Sequence, residues 1–219
     1  VAKAAAAVNK PVPVLFVTGS DTGVGKTHVA GLLARRLARD GFTQVIKPVE
    51  SGAAAGRPAD ALKAAGKWAE AYTLIALPKP IAPLAAAKQA RRKLDLPTLL
   101  KLYRALPAAP CRIVEGAGGV AVPIDPSGKD WADFAAAIQP TVAVVVVADR
   151  LGAINQARLA IAYLRRRYDG PVGVWLNAPR KPSPEVAASN RAGLVAAGIP
   201  LLGESGQGQK TVRFHFLPR

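Results

Sequence analysis

Apolar and polar positions along this chain follow two alternating rhythms. Short β-branched or valine-rich runs are followed by longer stretches whose apolar residues recur three or four apart. The first rhythm predicts strands covered on both faces, the second amphipathic helices. Pro13 to Thr18 reads as the first strand. Lys26 to Asp40 reads as a helix, with Val29, Leu33 and Leu37 on one face and Gly41 as its stop. Thr43 to Lys47 reads as a short strand that Pro48 closes. The Ala-rich stretch Asp60 to Ala71 reads as helix, and the Pro-rich span Leu77 to Pro83 as irregular. Leu96 to Leu106 reads as helix, with Pro97 near its start. Strands are then expected at Arg112 to Glu115, Thr141 to Ala148, Pro171 to Asn177 and Leu201 to Glu204. Helices are expected at Asp130 to Ile138, Ala153 to Tyr168 and Pro184 to Ala197.

This alternation predicts an α/β fold, a mostly parallel sheet with helices on both faces. The 219 residues carry no internal repeat and no composition break, so a single domain is expected. Residues 1–12 read as a loose Ala-rich leader without a signal-peptide layout, and 205–219 as a loop or tail. The longest apolar run, Val142 to Ala148, is strand-sized, well short of the ~18 residues a bilayer span needs, so no membrane partner is expected.

Aromatics make up only 5% of the chain, which leaves Ala, Val and Leu to fill the core. The single Cys111 excludes an internal disulfide and a cysteine metal cluster; it reads as strand filler, compatible with a cytoplasmic location. The net charge of +16 raises nucleic acid as a partner. The basic groups are scattered, however, at Arg35-Arg36, Arg91-Arg92-Lys93 and Arg165-Arg166-Arg167. No aromatic residues interleave with them as a base-stacking platform requires, so they read as solvated helix faces rather than a nucleic-acid surface.

The chemistry begins where the first strand runs into Gly19-Ser-Asp-Thr-Gly-Val-Gly25-Lys26-Thr27 and opens a helix. Strand, glycine-rich turn and helix in that order build a phosphate cradle. Gly23, Val24 and Gly25 turn backbone N–H groups onto phosphate oxygens, Lys26 reaches the outer phosphates, and the Thr27 hydroxyl suits Mg²⁺. The loop is one residue longer than the usual form. With this motif the expected fold becomes a three-layer P-loop NTPase fold. Thr22 offers a hydroxyl either to a phosphate or substrate oxygen or to its own turn.

In such sheets ligands bind beyond the carboxyl ends of the strands. Lys47-Pro-Val-Glu-Ser51-Gly52 follows the second strand, and Lys47 there offers a second cation to a transferring phosphoryl group. Glu115 ends an apolar strand just before Gly116-Ala-Gly-Gly119, a place for a Mg²⁺-holding carboxylate. Asp60 either caps its helix or joins the metal site. Gly152-Ala153-Ile154-Asn155 opens a helix whose free N–H groups form either an anion site or a solvated helix start. Asn177 follows a further strand.

Taken together, Val17 to Thr27, Lys47 to Gly52, Val114 to Gly119, Leu151 to Asn155 and Asn177 resemble the dethiobiotin synthetases in order and spacing, from about Pro13 to Glu204. The resemblance implies an ATP- and Mg²⁺-dependent ring-closing enzyme acting on 7,8-diaminopelargonic acid and CO₂. It implies that a carbamate attacks the γ-phosphate to give a carbamic-phosphoric anhydride, which the second amine then closes. By the same resemblance, Thr22, Lys26 and Thr27 grip ATP, and Thr27, Asp60 and Glu115 surround Mg²⁺. Lys47 and Ser51 face the carbamate and γ-phosphate, and Asn177 reads the adenine. Gly152, Ala153, Ile154 and Asn155 receive the substrate carboxylate across a homodimer interface. One departure stands out: the family's Ser-Pro-His is Ala82-Pro83-Leu84 here. Two other readings share the cradle. A partition-type switch ATPase would need a lysine where this chain has Asp21, and a degenerate nucleotide-binding homologue would need no intact site at all.

Overall fold

The computed structural model describes residues 13–53, 59–206 and 208–209. The expected leader lies outside them, as does most of the expected tail. Seven parallel strands form one sheet: β1 (Val14–Gly19), β2 (Thr43–Ser51), β3 (Glu70–Leu77), β4 (Cys111–Glu115), β5 (Val142–Ala148), β6 (Val172–Ala178) and β7 (Leu201–Gly206). The helices are α1 (Lys26–Leu37), α2 (Ala59–Ala65), α3 (Pro83–Gln89), α4 (Leu96–Arg104), α5 (Trp131–Ile138), α6 (Ala153–Leu164) and α7 (Pro184–Ala196). The spatial order is β3-β2-β4-β1-β5-β6-β7. The chain leaves β1 in one direction through β2 and β3, inserts β4, then proceeds the other way from β5. That reversal beside β1 opens a crevice at the strand ends.

The pleat distributes each strand between two cores. Leu15 and Val17 face α1 together with Val142, Val144 and Val146, whereas Phe16, Ala143, Val145 and Val147 face the layer of α5 and α6. Burial on both sides explains the unbroken valine run of β5. Four of the aromatics gather in one of these cores: Phe16, Tyr103, Trp131 and Phe134 lie with neighbouring ring centroids 5.7–6.5 Å apart. Side-chain caps set the starts of α4 and α5. Asp95 accepts from the Thr98 N–H at 2.8 Å, and Asp130 and Asp133 form a reciprocal capping box at α5.

Four expectations are corrected. The helix anticipated over Asp60 to Ala71 is only α2; Gly66, at φ 51°, ends it, and the chain re-emerges as β3. β3 lies on the sheet edge, paired to β2 from Gln44↔Glu70 to Ser51↔Leu77, and this pairing claims Glu70 and Ala71 for the strand that Tyr72, Thr73 and Ile75 favour. The Pro-rich span after β3 leads into a short helix, α3, that the sequence reading did not anticipate, with Pro83 in its first turn. Pro48 does not close β2. Pairing with β4 stops at Ile46↔Val114, so beyond it β2 has β3 alone as partner and tolerates a residue without an N–H. Finally, β7 reaches Gly206, so Ser205 and Gly206 belong to the sheet rather than the tail.

Candidate active site

Two glycine-rich turns meet over the crevice. The Gly19–Gly25 loop is held by Ser20 N–H donating to Val146 O at 3.0 Å. The turn after β4 lies against it, with Val120 N–H donating to Gly19 O at 2.9 Å. A Cβ at Gly119 would stand 3.2 Å from Ser20 O, so a side chain there would push the two backbones a few tenths of an ångström apart. Trp131 Nε1 donates to Ala117 O at 2.7 Å and ties the second turn to α5. Gly25 is left-handed at φ 96°, and a Cβ there would lie 2.0 Å from Asn177 Nδ2. The end of β6 thus packs directly on the cradle.

Beneath these turns lies a cavity of about 580 Å³ lined on one side by Thr22, Gly23, Gly25, Lys26, Thr27, Lys47, Ser51, Asp60 and Glu115. Pro80, Ile81, Ala82, Pro83 and Val122 form its apolar wall, which the sequence reading did not identify. The segment that replaces Ser-Pro-His therefore divides. Ala82 and Pro83 contribute to this wall, and Leu84 lines a separate cavity under α3.

Glu115 is the hub. It is 1% exposed, and its Oε1 accepts from Thr27 Oγ1 at 2.8 Å and from Lys47 Nζ at 2.5 Å. Lys47 Nζ also lies 3.4 Å from Asp60 Oδ2, so it bridges two carboxylates and keeps a third proton for the cavity. Lys26 is 7% exposed, and its Nζ donates to Asp21 O at 2.8 Å. Burial, reinforced by the nearby Lys47, lowers its pKa to about 8, although Glu115, Asp21 and Asp60 pull it upward. Two cations and two carboxylates therefore share one pocket.

Two buried oxygens in this pocket lack partners: Glu115 Oε2 and Ser51 Oγ. An unpaired buried carboxylate oxygen is costly unless a ligand completes it. With the Thr27 hydroxyl and the Asp60 carboxylate it makes an all-oxygen donor set, which fits a hard divalent cation such as Mg²⁺.

The open alternatives narrow. The Thr22 hydroxyl makes no hydrogen bond among the described residues; the local turn is closed instead by Thr22 N–H donating to Asp21 Oδ1 at 2.6 Å. Asp60 does not cap α2 from outside but lies in its first turn, its N–H donating to Glu50 Oε1 at 2.7 Å. Glu50 is 3% exposed and also accepts from Thr73 Oγ1 at 3.1 Å, so it anchors the start of α2 and sets Asp60 beside Lys47. The sequence reading passed over Glu50. An acid within a strand buried along nearly its whole length was the available signal. Gly152 to Asn155 begin α6 as expected, with Gly152 left-handed at φ 93°, but they do not line this cavity.

A parallel sheet reversing beside β1, with a glycine cradle that opens α1, defines a P-loop nucleotide-binding protein. A family profile described as an AAA domain matches residues 14–206. The chain is 42% identical over 173 residues to the ATP-dependent dethiobiotin synthetase of Anaeromyxobacter dehalogenans strain 2CP-C, covering 74% of this chain and 75% of that protein. It is 34% identical over 200 residues to the enzyme of the same name from Akkermansia muciniphila, covering 89% and 92%. The chain belongs to the ATP-dependent dethiobiotin synthetase family. Among solved structures it is similar to the MinC:MinD cell division protein complex of Aquifex aeolicus, with a TM-score of 0.53, 14% identity, and coverage of 90% of this chain and 82% of that one. At that identity the likeness concerns the fold alone.

Proposed function

We propose that this chain performs the ring closure for which its family is named, converting 7,8-diaminopelargonic acid and CO₂ to dethiobiotin with ATP. One amine takes up CO₂ as a carbamate. A carbamate oxygen attacks the γ-phosphorus and ADP leaves. The second amine then attacks the carbonyl carbon of the mixed anhydride, the C–O bond to phosphate breaks, and the ureido ring closes.

The observation that carries this reading is the convergence of Lys26, Lys47, Ser51 and Glu115 on one cavity. Carbamate and γ-phosphate are both anions, and two buried ammonium groups offset their repulsion while holding them in line. Thr22 and the loop N–H groups of Gly23, Val24 and Gly25 hold phosphate oxygens. Ser51 donates its unpaired hydroxyl to the carbamate. Thr27, Asp60 and Glu115 hold Mg²⁺, which when bound neutralises phosphate charge. The apolar wall of Pro80 to Pro83 and Val122 keeps water from the activated anhydride. Asn177, packed on Gly25, reads the base.

Because Gly152 to Asn155 lie outside this cavity, we assign them to the substrate carboxylate bound by a second copy of the chain. Leu151 and Leu159, 83% and 63% exposed, give the same helix region an apolar surface for that contact.

The test is ADP release with and without 7,8-diaminopelargonic acid and bicarbonate. Release should depend on both. Lys47→Ala should lower turnover by at least about a hundredfold, with a much smaller effect on ATP affinity. Turnover at the parental rate in that variant would remove Lys47 from the reaction. Release independent of the diamine would favour a switch ATPase.

A further inference from the structure

The start of α6 is held from behind by α7. Asn190 of α7 is 3% exposed, and its Nδ2 donates to Asp149 Oδ1 at 2.7 Å and to Arg150 O at 3.1 Å. A backbone carbonyl only accepts, so the amide has to present its NH₂ group to this pair of oxygens. Arg150 O also accepts from the Ala153 N–H at 3.0 Å, which closes the turn leading from β5 into α6. Gly152, at φ 93° and ψ −3°, is the third residue of that turn, and Leu151 before it has a negative φ, the signature of a type II turn. One turn further along α7, a Cβ at Gly193 would stand 2.2 Å from Ile154 Cδ1, so α7 also lies directly against the first turn of α6. The N–H groups of Ile154 and Asn155 meet no acceptor among the described residues.

We propose that Asn190 is a positioning residue for the substrate carboxylate, fixing the turn that aims the free N–H groups of Ile154 and Asn155. The proposal rests on the assignment of Gly152 to Asn155 to that carboxylate. Asn190 lies buried behind the turn and acts through α6 rather than by contact. Its bond to Arg150 O holds the peptide that closes the turn, so the helix start keeps one direction relative to the sheet. Hydrogen bonds weaken steeply with misalignment, so that direction decides how well the free donors meet an anion. Its bond to Asp149 keeps a buried carboxylate engaged just before the turn. Released from Asn190, that carboxylate would be an anion beside donors meant for another anion. It would weaken substrate binding by repulsion or by taking the donors itself.

Steady-state turnover of the full chain with two diamines tests this. One is 7,8-diaminopelargonic acid; the other is 2,3-diaminononane, the same diamine with a methyl group in place of the carboxylate. In the parent, the KM for the acid should lie at least about tenfold below that for 2,3-diaminononane. Asn190→Ala should raise the KM for the acid about tenfold while kcat stays within about twofold. The KM for 2,3-diaminononane and the affinity for ATP should not change. If Asn190→Ala does not fold, Asn190→Ser, which keeps a single donor, takes its place and is read the same way. An unchanged KM for the acid, or an equal rise for both diamines, overturns the proposal. So does a loss of the parental mass in light scattering, which would make Asn190 a residue of assembly instead. A parent with the same KM for both diamines marks the other failure: the carboxylate is then not recognised, and the assignment of Gly152 to Asn155 falls.

Discussion

Lys26 is a lysine that its own fold pushes toward neutrality. Its pKa falls to about 8 because burial and the neighbouring Lys47 both disfavour the ammonium. Below that value the cost of charging it is carried in full by the folded state. The cost is relieved as the pH rises from about 8 toward 10.5, where the unfolded chain also loses the proton. Lys26→Met should therefore resist urea better than the parent at pH 7, with the difference narrowing by about pH 9.5, while losing roughly a hundredfold or more in ATP affinity. A variant less stable than the parent at pH 7 would mean that the bond to Asp21 O outweighs desolvation. Cys111 is the opposite case, an acid that burial pushes up to about 11. Its thiol should resist alkylation at pH 8 in the folded protein and react promptly in urea. Rapid labelling of the native chain would contradict its position at the start of β4.

β2 is the element that assembles the site. It delivers Lys47 and Ser51 to the cavity and, through Glu50, pins the beginning of α2 so that Asp60 meets Lys47. Glu50→Ala would strand the Asp60 N–H and the Thr73 hydroxyl, both of which now donate to its carboxylate. A loss of about 1–3 kcal/mol in unfolding free energy is expected. The Mg²⁺ concentration giving half-maximal turnover should also rise several-fold, because Asp60 loses its placement. An unchanged Mg²⁺ requirement would separate Asp60 from the metal site. The turn after β4 depends in the same way on Trp131, whose indole holds Ala117.

For the whole molecule, the division of labour proposed above, with the cavity on one copy and the helix start on another, would require a dimer. Light scattering should give twice the chain mass of 22.7 kDa. Leu159→Asp, which places a charge on exposed apolar surface, should yield a monomer that binds ATP but turns over poorly. A parental monomer with full turnover would place the substrate-carboxylate site within one chain. The scattered +16 charge has no counterpart in the site, where cations and carboxylates are balanced; nothing in the structure explains it.

What the sequence by itself determined was the local machinery. The cradle is contiguous, so strand, glycine turn, Lys26 and Thr27 could be read in order, and the all-apolar β5 declared its burial on both faces. The strands that carry Lys47, Glu115 and Asn177 followed from the same alternation, although β2 runs on past Lys47 to Ser51. Only the tertiary structure decided what depends on partners distant along the chain. β3 begins at Glu70 because β2 lies beside it there; the helix reading ran on into Glu70 and Ala71, although Tyr72, Thr73 and Ile75 beyond them suit a strand. Pro48 sits inside β2 because β4 stops pairing there, an arrangement that no local pattern encodes. Lys47 meets Glu115 across 68 positions of sequence, and Ser205 meets Asn177 across 28. Periodicity reports which face of an element is buried, but it carries no information about which groups two elements bring to the same point.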